Sequence, residues 1–174
     1  MNDQSDDELL DLVNNNDEVI GAILKSDYDP MVEGKLGYIR TAELLIENDE
    51  GRFWIPTRTA DKKIAPSGFD FSAAGHVGSG EDYMTAVLRE IHEEINLELK
   101  SSDLTLLKKF SPGTIPYFRC VYVYQSNESP TFNPNDFTKA EWLSIPEILD
   151  KIRSGTPAKT ALLETVRALS VTMA

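Results

Sequence analysis

Residues 75–97 read GHVGSGEDYMTAVLREIHEEINL, and they say more about this protein than any other segment. Within them, Glu90, Glu93 and Glu94 follow a spacing of three and four residues, which on a helix places the three carboxylates on one face. Carboxylates held that close together repel one another unless cations are bound. Clustered oxygen ligands suit Mg²⁺, which commonly brings phosphate oxygens with it. The segment therefore predicts a metal site that handles phosphate groups.

The segment also resembles the Nudix box, which reads Gly, five residues, Glu, seven residues, then Arg-Glu-aliphatic-any-Glu-Glu-any-Gly-aliphatic. The match begins at Gly75 and includes Glu81 and Arg89 as well as the three glutamates. The last glycine of the pattern is replaced by Asn96. After glycine, asparagine best tolerates the left-handed conformation that commonly ends a helix, so we expect Asn96 to adopt it. On this resemblance, residues 75–97 are identified as a Nudix box.

Length and composition agree with a small soluble enzyme. The 174 residues, 41% of them hydrophobic, suffice for a single domain over residues 1–174. No apolar run approaches the roughly 20 residues that span a bilayer, and the acidic N-terminus is unlike a secretory signal. Cys120 is the sole cysteine, so an internal disulfide is excluded, which fits a reducing cytoplasm. We expect Cys120 to be a buried structural thiol.

The net charge limits the classes of partner. The chain carries a formal charge of −12 and has no run rich in Lys and Arg. An acidic surface repels polyanions, so nucleic acid is excluded as a partner. A small phosphorylated substrate stays compatible if metal ions and a few basic residues neutralise its charge.

Hydrophobic periodicity and turn residues predict the elements along the chain. We expect strands at residues 9–13, 19–24, 41–47, 52–57, 104–110 and 117–125. A helix is expected at about residues 81–95, with Met84, Leu88, Ile91 and Ile95 as its core face. Two further helices are predicted, one from Pro146 to Arg153 and one that Thr156 caps, with Pro157 at its first position, through Leu169. Strands interleaved with helices indicate a mixed α/β (α+β) domain.

Segments outside the box resemble the Nudix branch that contains isopentenyl-diphosphate isomerase and its hydrolase-like relatives. The matching segments lie at residues 10–21, 58–62, 72–77 and 141–148. The resemblance implies an α/β/α sandwich in which a mixed sheet lies between helices. Residues 1–40, ahead of the strand that begins at Thr41, form an N-terminal extension with a short hairpin. We expect this extension to be part of the substrate pocket or part of a homodimer interface.

The resemblance leaves three functions to weigh. The isomerases carry a catalytic cysteine just before the Gly-His pair and further metal-binding histidines in the N-terminal part. Here Ala73 and Ala74 stand where that cysteine would be, and the chain has no histidine besides His76 and His92. A catalytically silent binding module is the third alternative, but such modules tend to lose box carboxylates that this chain keeps. We therefore favour a Nudix pyrophosphohydrolase that cleaves a phosphoanhydride bond by water attack at phosphorus.

The resemblance also assigns roles within the box. Glu90, Glu93, Glu94 and the backbone carbonyl of Gly75 are the implied ligands of Mg²⁺, with Mn²⁺ as an alternative. Glu93 or Glu94 is the implied general base, or an acid on a later loop. Arg89 and Glu81 are expected to pair with each other and to orient the ligands.

Residues outside the metal ligands are implied to meet the substrate, a small-molecule diphosphate such as a nucleoside diphosphate linked to a variable group. Basic side chains at Arg40, Arg58 and Lys62 are the implied phosphate-binding residues. His76 contacts metal or phosphate or is structural, and Asp136 is an additional acidic ligand or a solvated loop acid. We expect no catalytic role for His92 and a solvated Lys63. Tyr117 and Phe118 either stack on a base or line an apolar group of the substrate, or they occupy the core positions that are more common for aromatics in a strand. Nucleoside triphosphates, nucleotide sugars, dinucleoside polyphosphates, cofactors and prenyl diphosphates are all compatible with this chemistry.

Overall fold

A computed structural model describes residues 7–28 and 36–172 of the protein. Two parts of the predicted N-terminal extension, residues 1–6 and 29–35, lie outside the described residues. The described part of the extension forms an antiparallel hairpin of β1 (Leu9–Val13) and β2 (Val19–Leu24), followed by a 3-10 turn at Lys25–Asp27. The predicted hairpin is therefore confirmed.

The remaining strands form a six-stranded mixed sheet. They are β3 (Ile39–Glu47), β4 (Phe53–Arg58), β5 (Ala73–His76), β6 (Thr105–Phe110), β7 (Tyr117–Gln125) and β8 (Phe137–Leu143). The order is β6-β7-β3-β4-β8, and β5 pairs with β3 beside Thr41–Leu44. The pair β3–β7 is parallel, whereas the other pairs are antiparallel. The strands predicted from periodicity are confirmed within two residues at each end.

Helices cover both faces of this sheet, as the resemblance implied. Side chains alternate between faces along a strand, and on β3 Leu44 and Ile46 pack against α1 (Tyr83–Ile95). Leu45 points to the opposite face, where it packs with side chains of α2 (Ile145–Arg153) and α3 (Thr160–Thr172). Among the described residues, no helix is long and apolar enough to cross a membrane.

The box helix begins and ends where its capping residues dictate. The side chain of Asp82 accepts a hydrogen bond from the backbone N–H of Thr85 at 2.7 Å, which satisfies one of the free donors at the helix start. Asn96 ends the helix with φ 54° and ψ 31°, the left-handed conformation that the box glycine would adopt. The expectation for Asn96 is confirmed.

The core face of α1 differs from the predicted one in two positions. Ile91 and Ile95 are fully buried as expected, but Met84 and Leu88 are only partly buried. Ala86 and Val87 are fully buried instead. The face that carries Ala86 and Val87 turns toward the sheet because Glu90, one turn further along the helix, is buried against Gly75 of β5.

The last helix begins at Thr160, so the prediction that it starts at Pro157 is wrong. Residues 157–159 run instead beside Phe69. The N–H of Phe69 donates to the carbonyl of Pro157 at 2.8 Å, and the N–H of Lys159 donates to the carbonyl of Phe69 at 3.0 Å. These bridging hydrogen bonds hold the segment extended and delay the helix by three residues.

Candidate active site

A cavity of about 550 Å³ opens where the box helix, the N-terminal hairpin and the start of α3 meet. Among the described residues, five acidic ones line it: Glu8, Glu43, Glu90, Glu93 and Glu94. Five basic ones from the same ranges line it as well: Lys25, Arg58, Lys62, Lys63 and Lys159. Carboxylates and cations thus share one space, which is the arrangement expected of a site for a metal ion and an anionic substrate.

Glu90 lies directly against the backbone of Gly75. A Cβ atom at position 75 would stand 1.9 Å from Oε1 of Glu90, so a side chain there would displace the carboxylate. Burial raises the pKa of Glu90 even though the Arg89 guanidinium opposes the shift. The glycine is required at this position because it leaves the space that the carboxylate occupies.

Glu94 is also drawn toward β5. Its Oε2 accepts a hydrogen bond of 2.9 Å from the backbone N–H of Ala74. Burial raises the pKa of Glu94 to about 8, and repulsion from Asp70 adds to the shift. Glu93 differs, since 55% of its side chain is exposed and its closest described cation is Arg89, at 3.5 Å.

Arg89 and Glu81 pair as the sequence predicts. Arg89 donates from Nε to Oε1 and from Nη2 to Oε2 of Glu81, both at 3.0 Å. It also donates to the backbone carbonyl of His76 at 2.9 Å and to Oε1 of Glu90 at 2.6 Å. Glu81 in turn accepts the N–H of Gly78 at 2.9 Å. Arg89 therefore connects the start of the box to the face of α1 that carries the glutamates, and it orients Glu90.

Within residues 7–28 and 36–172, no three His, Cys, Asp or Glu side chains stand together in a set that could hold a metal ion. Arg89 holds Glu90, and the N–H of Ala74 holds Glu94. The donor set nevertheless fits a hard divalent cation, because three carboxylates and Gly75 line one cavity. A cation there would also relieve the cost of burying Glu90 and Glu94, whose pKa values burial raises.

His76 lines the same cavity beside Gly75. Burial lowers the pKa of His76 to about 4, and Lys25 adds to the shift, so the imidazole is neutral at pH 7. Its Nδ1 stands 3.8 Å from the carboxylate of Glu8. His92, by contrast, is exposed on α1 and lies 2.6 Å from Glu98, away from the cavity.

The predicted phosphate-binding residues divide into two groups. Arg58 and Lys62 line the cavity, and so does Lys63, which we expected to be solvated. Arg40 does not line it, because its guanidinium pairs with Asp17 at the tip of the hairpin. Asp136 is likewise not part of the lining: its carboxylate accepts a hydrogen bond of 2.6 Å from Lys62.

The aromatic pair at residues 117 and 118 is also split. Tyr117 lines the cavity and is partly buried, whereas Phe118 is buried and packs edge-to-face against Tyr38. The core position is confirmed for Phe118, whereas Tyr117 takes the alternative position at the cavity. Alternation along the strand explains the split, since neighbouring residues point to opposite faces.

Sequence reasoning missed Glu8, Lys25 and Lys159. Glu8 and Lys25 flank the hairpin, and they form a salt bridge of 2.6 Å at the cavity. Their presence there places the N-terminal extension at the pocket, one of the two positions considered for it. No local pattern in the sequence marks Glu8 or Lys25. Lys159 immediately precedes the last helix, and this position near a helix start was a signal in the sequence.

Comparisons with known proteins agree with the fold. A model of the NUDIX domain matches residues 37–164. A Nudix hydrolase of Deinococcus radiodurans is 41% identical over 163 residues, which cover 92% of this chain and 93% of that protein. A crystal structure from the same organism superposes with a TM-score of 0.80 at 39% identity, covering 92% of this chain and 98% of the other.

A weaker similarity concerns the isomerase branch. An isopentenyl-diphosphate Δ-isomerase of Paenarthrobacter aurescens is 28% identical over 116 residues, which cover 64% of this chain and 63% of that enzyme. The domain match spans most of the chain, and the Deinococcus hydrolase aligns over nearly its full length. The protein therefore belongs to the Nudix hydrolase family.

Proposed function

We propose that this protein is a metal-dependent pyrophosphohydrolase that cleaves the diphosphate linkage of a small molecule by water attack at phosphorus. The observation that carries the proposal is the cavity itself. Glu90, Glu93 and Glu94 line it beside Gly75, and Arg58 and Lys62 line it as well. A phosphoanhydride substrate needs both a site for a divalent cation and cations for its remaining phosphate charge.

The box residues would hold Mg²⁺, or alternatively Mn²⁺, through Glu90, Glu93, Glu94 and the carbonyl of Gly75. When bound, such an ion neutralises phosphate oxygens and lowers the pKa of a coordinated water. Arg89 keeps Glu90 in place through the hydrogen bond of 2.6 Å, and Glu81 fixes Arg89 in turn.

We assign the general base to Glu93. Its side chain is the most exposed of the three box carboxylates, so it can meet a water on the open side of the cavity. The carboxylate takes a proton from that water as the new O–P bond forms. The bridging P–O bond breaks, and its electron pair leaves with the departing phosphate oxygen. Arg58 and Lys62 donate hydrogen bonds to the phosphate oxygens.

The isomerases of this branch use a catalytic cysteine, so the isomerase alternative needs a cysteine at the cavity. Cys120, the sole cysteine of the chain, is 3% exposed and packs with Ala42 and Leu44 in the core beneath α1. Burial also raises the pKa of its thiol to about 11, and Cys120 does not line the cavity. This placement supports hydrolysis over isomerisation.

The proposal extends to the setting in which the enzyme works. We propose a single domain over residues 1–174, because Leu10 bridges to Gly78 and Val13 to Tyr38, which joins the hairpin to the rest of the fold. A small-molecule diphosphate in the cytoplasm is the proposed partner, without nucleic acid or membrane. A homodimer stays a prediction.

The experiment is a product screen over nucleoside triphosphates, nucleotide sugars, dinucleoside polyphosphates, cofactors and prenyl diphosphates, with Mg²⁺ and with EDTA. The protein is run beside Glu93→Gln/Glu94→Gln and beside Glu98→Gln, whose exposed glutamate lies outside the cavity. We expect metal-dependent turnover of one class, lost in the double variant and kept in Glu98→Gln. Isomerised prenyl diphosphate as the product would favour the isomerase, and no turnover of any class would favour a binding module.

A further inference from the structure

Asp70 is a buried carboxylate that holds two cations of the cavity. Its side chain is 2% exposed. It accepts a hydrogen bond from Nη1 of Arg58, and Nζ of Lys159 stands 3.0 Å from its Oδ2. Its second oxygen accepts the backbone N–H of Phe71 at 2.8 Å. A carboxylate fixed on both oxygens cannot turn away, so it sets the positions of the two cations.

The backbone fixes these positions further. Arg58 ends β4, and its Nε donates to the carbonyl of Ile64 at 2.8 Å. Lys159 belongs to the extended segment that pairs with Phe69, the residue immediately before Asp70. The two cations therefore come from segments a hundred residues apart in sequence, and Asp70 joins them.

The pair retains donors for an anion. Asp70, Arg58 and Lys159 together carry a net charge of +1, and the two cations have more N–H groups than Asp70 accepts from them. Glu43 and Glu94 also interact with Lys159, but both have pKa values that burial raises, which lowers their negative charge at neutral pH. Arg58 and Lys159 both line the cavity that Glu90, Glu93 and Glu94 line. Their side chains are 11% and 23% exposed, so little ordering remains to be done when an anion binds.

We infer that Arg58 and Lys159 form a joint phosphate-binding subsite and that Asp70 is its positioning residue. The inference rests on the proposed function, since the phosphate it binds belongs to the diphosphate substrate. It adds Lys159 and Asp70 to the residues that recognise the substrate. Asp70 acts through the two cations and does not itself touch phosphate.

The probe is inorganic pyrophosphate, titrated calorimetrically into the full chain in EDTA. Chelation removes the metal-dependent part of binding, so the signal comes from the protein's cations. We expect Lys159→Met to raise the dissociation constant about ten-fold, the loss of one charge-assisted contact, and Lys159→Arg to restore most of it. Lys151→Met is the matched control, because Lys151 pairs with Glu141 outside the cavity, and it should bind as the unmodified protein does.

Asp70→Asn separates positioning from charge. If Asp70 acted by its charge alone, removing it would strengthen the binding of an anion. Positioning predicts the opposite, a dissociation constant about ten-fold higher, because Arg58 and Lys159 lose their shared partner. Thermal unfolding of each variant shows whether it folds. If Asp70→Asn does not fold, the comparison of Lys159→Met with Lys159→Arg still tests the phosphate subsite.

Three results would overturn the inference: no binding of pyrophosphate to the unmodified protein, unchanged binding in Lys159→Met, or tighter binding in Asp70→Asn. The titration involves neither metal nor turnover. A protein that hydrolyses no diphosphate but shows the expected pattern would therefore contradict the proposed function and still support the subsite.

Discussion

The carboxylate of Glu90 occupies the space in which position 75 would carry a side chain, and a Cβ atom there would lie 1.9 Å from its Oε1. The contact joins the first glycine of the box to the helix that carries the three box glutamates. Since the carboxylate is the far end of a flexible side chain, it can move aside without unfolding the protein. The glycine at position 75 is therefore needed for the position of the Glu90 carboxylate more than for the stability of the fold.

Gly75→Ala should leave the fold intact and weaken the metal site. We expect the melting temperature to change by only a few degrees, whereas the affinity for Mn²⁺, measured by electron paramagnetic resonance, should fall about ten-fold. Gly113→Ala is the matched control, because a Cβ there would meet no atom of residues 7–28 or 36–172 within 4 Å. Unchanged Mn²⁺ affinity in Gly75→Ala would show that the Glu90 carboxylate is not a ligand.

Asp17 fastens the N-terminal hairpin to the domain. It accepts hydrogen bonds from Arg40, Lys109 and Tyr83, and 7% of its side chain is exposed. Asp17→Asn should destabilise the protein by about 2 kcal/mol at pH 7, because charged hydrogen bonds are lost at a poorly solvated site. Urea unfolding measures the change, and Glu18→Gln, an exposed neighbour, is the control.

The effect of Asp17→Asn should also depend on pH. Burial pulls the pKa of Asp17 upward, but the hydrogen bonds from Lys109, Arg40 and Tyr83 outweigh it, so the folded-state pKa is lowered. A lowered pKa contributes stability above the unfolded value of about 4 that is lost as pH falls through the folded pKa. The difference between the two proteins should shrink below about pH 4. A difference that stays constant down to pH 3 would contradict an ionised Asp17.

Arg119 is fully buried and anchors α3 to the sheet. It donates to Glu43 at 2.8 Å, to Glu164, and to the hydroxyl of Thr165 at 3.3 Å. Arg119→Met should cost about 4 kcal/mol in urea unfolding, because it leaves the Glu43 carboxylate buried without its partner. The double variant Arg119→Met/Glu43→Leu should recover most of that loss. A double variant as unstable as the single one would show that packing, and not the unpaired charge, causes the loss.

Local patterns in the sequence predict much of this structure. The box spacing determines which carboxylates share a helix face, and the tolerance of Asn for left-handed backbone explains the helix end at Asn96. The pairing of Arg89 with Glu81 follows from the same motif. Alternating apolar residues are sufficient to find the strands, because the two faces of a sheet bury different side chains.

Contacts between distant segments are what the sequence leaves out. Pro157 favours a helix start, but its carbonyl is taken by Phe69, nearly ninety residues earlier in the chain. The sequence predicts that Arg40 binds phosphate, but the fold of the hairpin places Asp17 beside it and the two side chains form an ion pair. Lys159 lies at the cavity because its ammonium group pairs with Asp70, which is also distant in sequence. Such pairings depend on tertiary packing, which local propensity does not encode.

The most direct test of the account is to run the reaction in ¹⁸O-labelled water with the diphosphate that the product screen identifies. We predict that the label appears on a phosphate group of the product, in the presence of Mg²⁺ and not in EDTA, because water attacks phosphorus. Label in the organic product with unlabelled phosphate, or an isomerised product with no label, would contradict the account.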